Sequence, residues 1–179
     1  MTKLDAGLLG AAIVLAVALV VVLARRRPPK RLPVSGAARR VLVPFSGALD
    51  PTVLDAAIRI ARAEGAVLVP AYLLIVPLRY GEDAPLRDEV KLAMPVLEAV
   101  EHRALRAGVP VDARIEKGRT LTHALRRLWE VEQFDRIVAP APVNGGGGFN
   151  EKELAWLLAH APTETLVLKP TPAAARTAA

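Results

Sequence analysis

Cysteine is absent from the 179 residues, which removes a disulfide framework, a thiol nucleophile and any cysteine-ligated zinc from consideration. Histidine is almost absent, and His102, His123 and His160 are scattered too widely to suggest a metal site. Aromatic residues make up only 4% of the chain, so no basic stretch carries the interleaved rings of a single-strand nucleic-acid binder. Anions are scarce in one region. Among residues 1–40, Asp5 stands alone against eight cations, a net +7, and residues 41–179 carry −1. The overall charge of +6 and the isoelectric point near 10.2 therefore do not describe a basic domain. Nucleic acid is not an expected partner.

What the amino terminus does have is a long apolar run. Residues 6–24 read AGLLGAAIVLAVALVVVLA, nineteen positions without a charge, which as a helix would extend roughly 28 Å and match the hydrocarbon core of a bilayer. Eleven of these are Leu, Ile or Val, each favouring insertion by about 0.3–0.6 kcal/mol. A cleaved secretory signal is the rival reading, but Arg25, Arg26 and Arg27 follow the run directly and oppose translocation, while the short tail before it (1–5) offers only Lys3 beside Asp5. The expectation is one uncleaved transmembrane helix. Its positive flank is carboxyl-terminal, so the amino terminus faces outside and the rest of the chain the cytoplasm, at the plasma membrane. Residues 25–39 form a basic, proline-rich linker, extended by Pro28, Pro29 and Pro33 and suited to lie near anionic lipid.

Beyond residue 40 the pattern alternates between apolar runs and helical stripes. Val41–Phe45 reads as a strand. Asp50 and Pro51 cap a helix that Gly65 closes, and residues 66–76 form a second strand in which Pro70 belongs at the start or an edge. A long helical stripe follows, with Pro95 expected to kink or split it. Val109–Ile115 reads as the third strand, Leu121–Trp129 as an amphipathic helix and Arg136–Ala139 as the fourth strand. Asn150 and Glu153 make an N-cap pair, and Thr165–Leu168 is the last strand. Strands that are near-continuous apolar runs, alternating with helices, predict a doubly wound parallel α/β sheet over residues 40–169. A short tail, 170–179, is expected to be disordered. Ligands of such sheets bind beyond the carboxyl ends of the strands, which nominates the loops Phe45–Asp50 and Pro140–Asn150.

The blocks VLVPFSG, GVPVDARIEKG, FDRIVAPA and LLAHAPTETLVL, in this order, resemble those of a universal stress protein domain. The resemblance implies a five-stranded sheet of order 3-2-1-4-5, dimerisation through the last strand and, in one branch of the family, ATP in the crevice just described. It also places the cofactor-binding candidates. Ser46 stands where nucleotide-binding members carry an Asp, and Leu73 falls at the position whose backbone faces adenine. Gly145, Gly146, Gly147 and Gly148 stand in a shortened phosphate loop, with Glu151 and Lys152 in place of its closing Gly-Ser/Thr. A glutamate at a helix start favours the dipole but repels a phosphate seeking the same place, although Lys152 offers compensating charge. Two readings follow. The first is a non-catalytic, membrane-anchored module with no cofactor, acting through protein contacts as a homodimer or as an accessory subunit of a membrane complex. The second is an ATP-binding stress sensor or weak ATPase. No catalytic or metal residue is nominated. His123 reads as solvent-facing, His160 as a capping or packing residue, and Asp112, Glu116 and Asp135 as surface charges or helix-proximal carboxylates.

Overall fold

The computed structural model describes residues 39–142 and 148–169. The chain divides into two units, Met1–Val34 and Ser35–Ala179, and all described residues lie in the second. The expected span 6–24, nearly all of the linker 25–39 and the tail 170–179 fall outside them. Among the described residues no helix is long and apolar enough to cross a membrane.

The elements alternate as expected: β1 (Arg40–Phe45), α1 (Pro51–Glu64), β2 (Val67–Ile75), α2 (Arg87–Arg106), β3 (Arg114–Gly118), α3 (Leu121–Val131), β4 (Arg136–Pro140), α4 (Glu151–His160) and β5 (Glu164–Leu168). All ladders are parallel and the sheet order is β3-β2-β1-β4-β5. Each face of the sheet has its own helices, because successive strand residues point to opposite sides. Val41, Val43, Leu68 and Val138 meet Val53, Leu54, Ala57 and Ile58 of α1 and Val100 and Ala104 of α2. Leu42, Val69, Leu73 and Ile137 meet Ala124, Leu125 and Leu128 of α3 and Leu157 of α4.

Helix ends follow their sequence signals. Asp50 accepts from the Thr52 amide at 2.7 Å with Pro51 in the first turn, and Gly65 ends α1 in the left-handed conformation. Pro95 does not split α2, which runs unbroken through it. The residue is exposed, so water reaches the carbonyl that a proline amide cannot serve.

Two strand expectations need correction, and Pro70 explains both. It lies in the buried middle of β2, an interior strand, rather than at a strand start or a sheet edge. The Leu68 amide donates to the Pro110 carbonyl and its carbonyl accepts from the Asp112 amide. By alternation the Pro70 nitrogen also faces β3, where it has no hydrogen to donate. The ladder is broken there: an isolated bridge joins Leu68 to Val111, and regular pairing resumes only at Ala71 and Arg114. Hence β3 begins at Arg114 instead of Val109.

Candidate functional site

A second proline shapes the crevice at the carboxyl end of the sheet. The Arg40 carbonyl accepts from the Asp135 amide at 2.9 Å, so even-numbered residues of β1 face β4. Pro44 is one of them and has no donor. The β1–β4 register accordingly runs through Val41/Arg136 and Leu42/Ile137 and stops, whereas β1–β2 continues to Phe45/Tyr72. Two neighbouring strands thus lose their pairing where the order of connections reverses, the location at which open α/β sheets hold ligands.

Ser46 follows β1 directly and is partly exposed at the edge of this opening. It supplies a hydroxyl and no charge. Asp50, a few residues on, is engaged in capping α1. Leu73 turns its side chain away from the opening into the core, where it is 1% exposed; only its backbone lies beside the end of β1. Tyr72 packs edge-on against Phe45, with ring centroids 5.5 Å apart.

The return from β4 is pinned at both ends. The Ala141 amide donates to Leu168 at 2.8 Å and the Phe149 amide to Pro140 at 3.0 Å, while the Phe149 side chain is buried in the core beneath α3 and α4. Gly148 makes this return feasible. Its φ is +85°, and a Cβ there would overlap the Ala141 carbonyl oxygen, so the position needs glycine for closure whatever else it does. Gly145, Gly146 and Gly147 lie outside the described residues.

At the start of α4, Asn150 Oδ1 accepts from the Glu153 amide and Glu153 Oε2 accepts from the Asn150 amide, both at 2.9 Å. This reciprocal capping box occupies donors that a phosphate would otherwise use. Glu151 and Glu153 place two carboxylates in the first turn, against the single charge of the exposed Lys152. The dipole of α4 is therefore matched from within the chain.

Sequence reasoning missed a second cluster, beyond the carboxyl end of β3. The Arg119 guanidinium donates to the carbonyls of Pro77 at 2.9 Å and Val76 at 3.3 Å. His123 Nδ1 accepts from the Arg119 amide at 3.3 Å and lies 3.1 Å from Glu82, which Arg127 approaches at 3.6 Å. His123 is thus bonded to the Arg119 backbone and lies beside Glu82, while its side chain remains 39% exposed. Glu82 is 41 residues away in sequence, so no local spacing announced the pair. Among the described residues no hydroxyl contacts this imidazole ring, and no three His, Cys, Asp or Glu side chains gather as a metal site. His160 stacks on Trp156 at 4.9 Å, its Nδ1 lying 2.8 Å from the Trp156 carbonyl.

The opposite end of the sheet is cross-linked by charge. Arg40 contacts Glu132 at 2.6 Å and Asp112 at 3.1 Å, and Arg114 contacts the same two carboxylates at 3.1 and 2.6 Å. Asp135 accepts from the Arg40 amide at 2.7 Å, and Arg136 bridges Glu64 and Glu164 at 2.8 and 2.7 Å. Asp112 and Asp135 are therefore structural ties between strand starts.

No protein-family model and no curated protein matches this chain by sequence. Solved structures do match it. A universal stress protein family member from Burkholderia pseudomallei is 23% identical, with 73% of this chain and 96% of that one covered at a TM-score of 0.52. A universal stress protein in complex with cAMP is 21% identical over 75% and 98%, with a TM-score of 0.53. An Arabidopsis thaliana universal stress protein family protein with AMP bound is 14% identical over 75% and 93%, with a TM-score of 0.56. The chain has the universal stress protein fold. The sheet order expected from the block resemblance is the one observed.

Proposed function

We propose that the chain is a membrane-anchored universal stress protein-like module that performs no catalysis and acts through protein contacts at the cytoplasmic face, as a dimer or as an accessory subunit of a membrane complex. The observation that carries the loss of nucleotide chemistry is the start of α4, where a capping box and two first-turn carboxylates stand where a phosphate would be held. Ser46 at the end of β1 supports the same reading, since it brings no carboxylate to the opening. Anchoring is supported by the uncharged run 6–24 and the cations that follow it. A dimer is supported by β5, a sheet edge whose residues are half-buried or exposed.

Titration of the full chain in detergent micelles with ATP and Mg²⁺ tests the nucleotide part. No saturable binding at millimolar ATP is expected, and micromolar binding would overturn it. Gentle extraction followed by mass analysis tests the contact part, because a lone monomer would contradict both forms of assembly. Digestion of the domain from outside right-side-out vesicles would overturn the orientation.

A nucleotide-responsive sensor is the second reading. It is favoured by neighbours of the same fold solved with cAMP and AMP and by Lys152 in the first turn of α4. The triple variant Ser46→Asp, Glu151→Gly and Lys152→Ser separates the two: gained ATP binding would mean that the crevice is open and only its chemistry has changed.

A further inference from the structure

The β3 edge of the sheet offers a surface different from the crevice. Hydrogen bonds from Asp112 to Leu68 and from Val76 to Gly118 direct the even-numbered residues of this segment toward β2. By alternation the amides and carbonyls of Ala113, Ile115 and Lys117 point outward, and among the described residues no strand lies beyond them. Side chains of β3 alternate between two flanking depressions. On the α2 side, Met94, Leu97, Ala113 and Ile115 floor a groove of about 310 Å³ that Glu98 and Glu101 rim. On the α3 side, Leu128 and Val131 line a depression of about 250 Å³ together with Arg114, Arg127, Glu116, Glu130 and Glu132; Val131 is 84% exposed.

We propose that this edge binds an extended basic peptide by strand addition, with Lys or Arg side chains on the α2 side and aliphatic side chains on the α3 side. Main-chain bonds to Ala113, Ile115 and Lys117 would supply affinity, and the alternating depressions would fix register. The charges choose the occupant. A long cationic side chain laid along Met94 and Leu97 brings its head to Glu98 and Glu101, neither of which has an ion-pair partner among the described residues. On the other side Arg114 and Arg127 are already paired with Glu132 and Glu116, which leaves Leu128 and Val131 to take an aliphatic group. Glu101 already feels the lack of a counter-charge: burial, Glu98 and Asp112 together raise its pKa above the ordinary carboxylate value. A second copy of β3 fits poorly, because an antiparallel pair centred on Glu116 would place two glutamates face to face.

This inference gives the protein-contact reading a partner chemistry and rests on it. Direct peptide binding is its readout, so its failure is distinct from an unexpected result in the ATP titration or the extraction. The probe is a blocked pentapeptide, Lys-Val-Lys-Val-Lys, titrated into the full chain in detergent micelles while amide chemical shifts are followed; Glu-Val-Glu-Val-Glu is the control. Saturable shifts centred on Ala113, Ile115 and Lys117 are expected for the basic peptide only. The double variant Glu98→Gln, Glu101→Gln should weaken binding by roughly two- to tenfold. In Ala113→Pro, which loses an outward amide that β2 does not use, binding should weaken further. Equal binding of both peptides, shifts centred on β5, or no saturation at millimolar peptide would each overturn the proposal.

Discussion

At the amino end of the sheet, Arg40, Arg114 and Arg136 tie the starts of β1, β3, β4 and β5 to Asp112, Glu132, Glu64 and Glu164. At the carboxyl end, β1 and β4 stop pairing beyond Leu42 and Ile137, and among the described residues the return from β4 is fastened by Phe149 and two backbone bonds. One end joins four strands through shared ions. The other leaves the ends of β1 and β4 unpaired and gathers its side-chain ties beyond β3, at Arg119, His123 and Glu82. The difference teaches where this fold can change its chemistry: between β1 and β4 the carboxyl-end backbone is not committed to the ladder, so the residues that follow can vary while the sheet persists.

Phe149 is the strongest challenge to that contrast, because it is the one large core residue among the described part of the return. Phe149→Ala is expected to lower stability by about 3–5 kcal/mol, read as a shift of the urea midpoint. A loss below that of the next variant would mean that the carboxyl-end anchor is not needed. Arg40→Ala probes the other end. It leaves Asp112 and Glu132 to Arg114 alone and removes the cation over Phe134, 5.7 Å from the ring centroid. About 2 kcal/mol of destabilisation is expected, observed as a lowered thermal midpoint. Asn150→Ala breaks half of the α4 capping box and should cost about 1 kcal/mol. If that variant also gained ATP binding, the internal cap would be shown to compete directly with phosphate.

The sequence was most informative where a local rule governs. Asp50–Pro51, Gly65 and the Asn150–Glu153 pair each announce a helix end through chemistry contained within four residues, and each is found as read. Alternation of apolar runs likewise sufficed for the sheet. Pro70 was misread because an interior proline is tolerated only when the neighbouring strand yields, and that neighbour is more than forty residues away. The same limitation hid the Glu82–His123 contact and the ion ties of Asp112 and Asp135. Gly118 shows the intermediate case. It closes β3, and the reason for glycine is tertiary: a Cβ would stand 2.5 Å from the Ala124 amide nitrogen, where α3 crosses close to the strand. At the candidate site, residue identities were legible and their orientations were not. Leu73 turns inward with Val67, Val69 and Ala71 on the same face of β2, and Gly148 serves closure, which depends on how β4 returns to α4.

The amino end also contains the exception that refines the contrast. Asp112 has two cations, but Glu101, which feels the charge of Asp112, has none among the described residues. Burial, then Glu98 and Asp112, raise its pKa above the ordinary carboxylate value, so the folded chain holds this proton more tightly than the unfolded chain does. Between the ordinary and the raised value folding takes up a proton, and the contribution of Glu101 to stability must fall as pH rises through that window. Below the ordinary value the penalty is absent; above the raised value it is complete. Glu101→Gln cannot titrate and removes the penalty, so its stability relative to the parent should increase with pH across the window and level off above it. Denaturation midpoints of both proteins at neutral and acidic pH provide the check. A difference that stays constant with pH would mean that Glu101 has found a counter-charge, and that the amino end is balanced throughout.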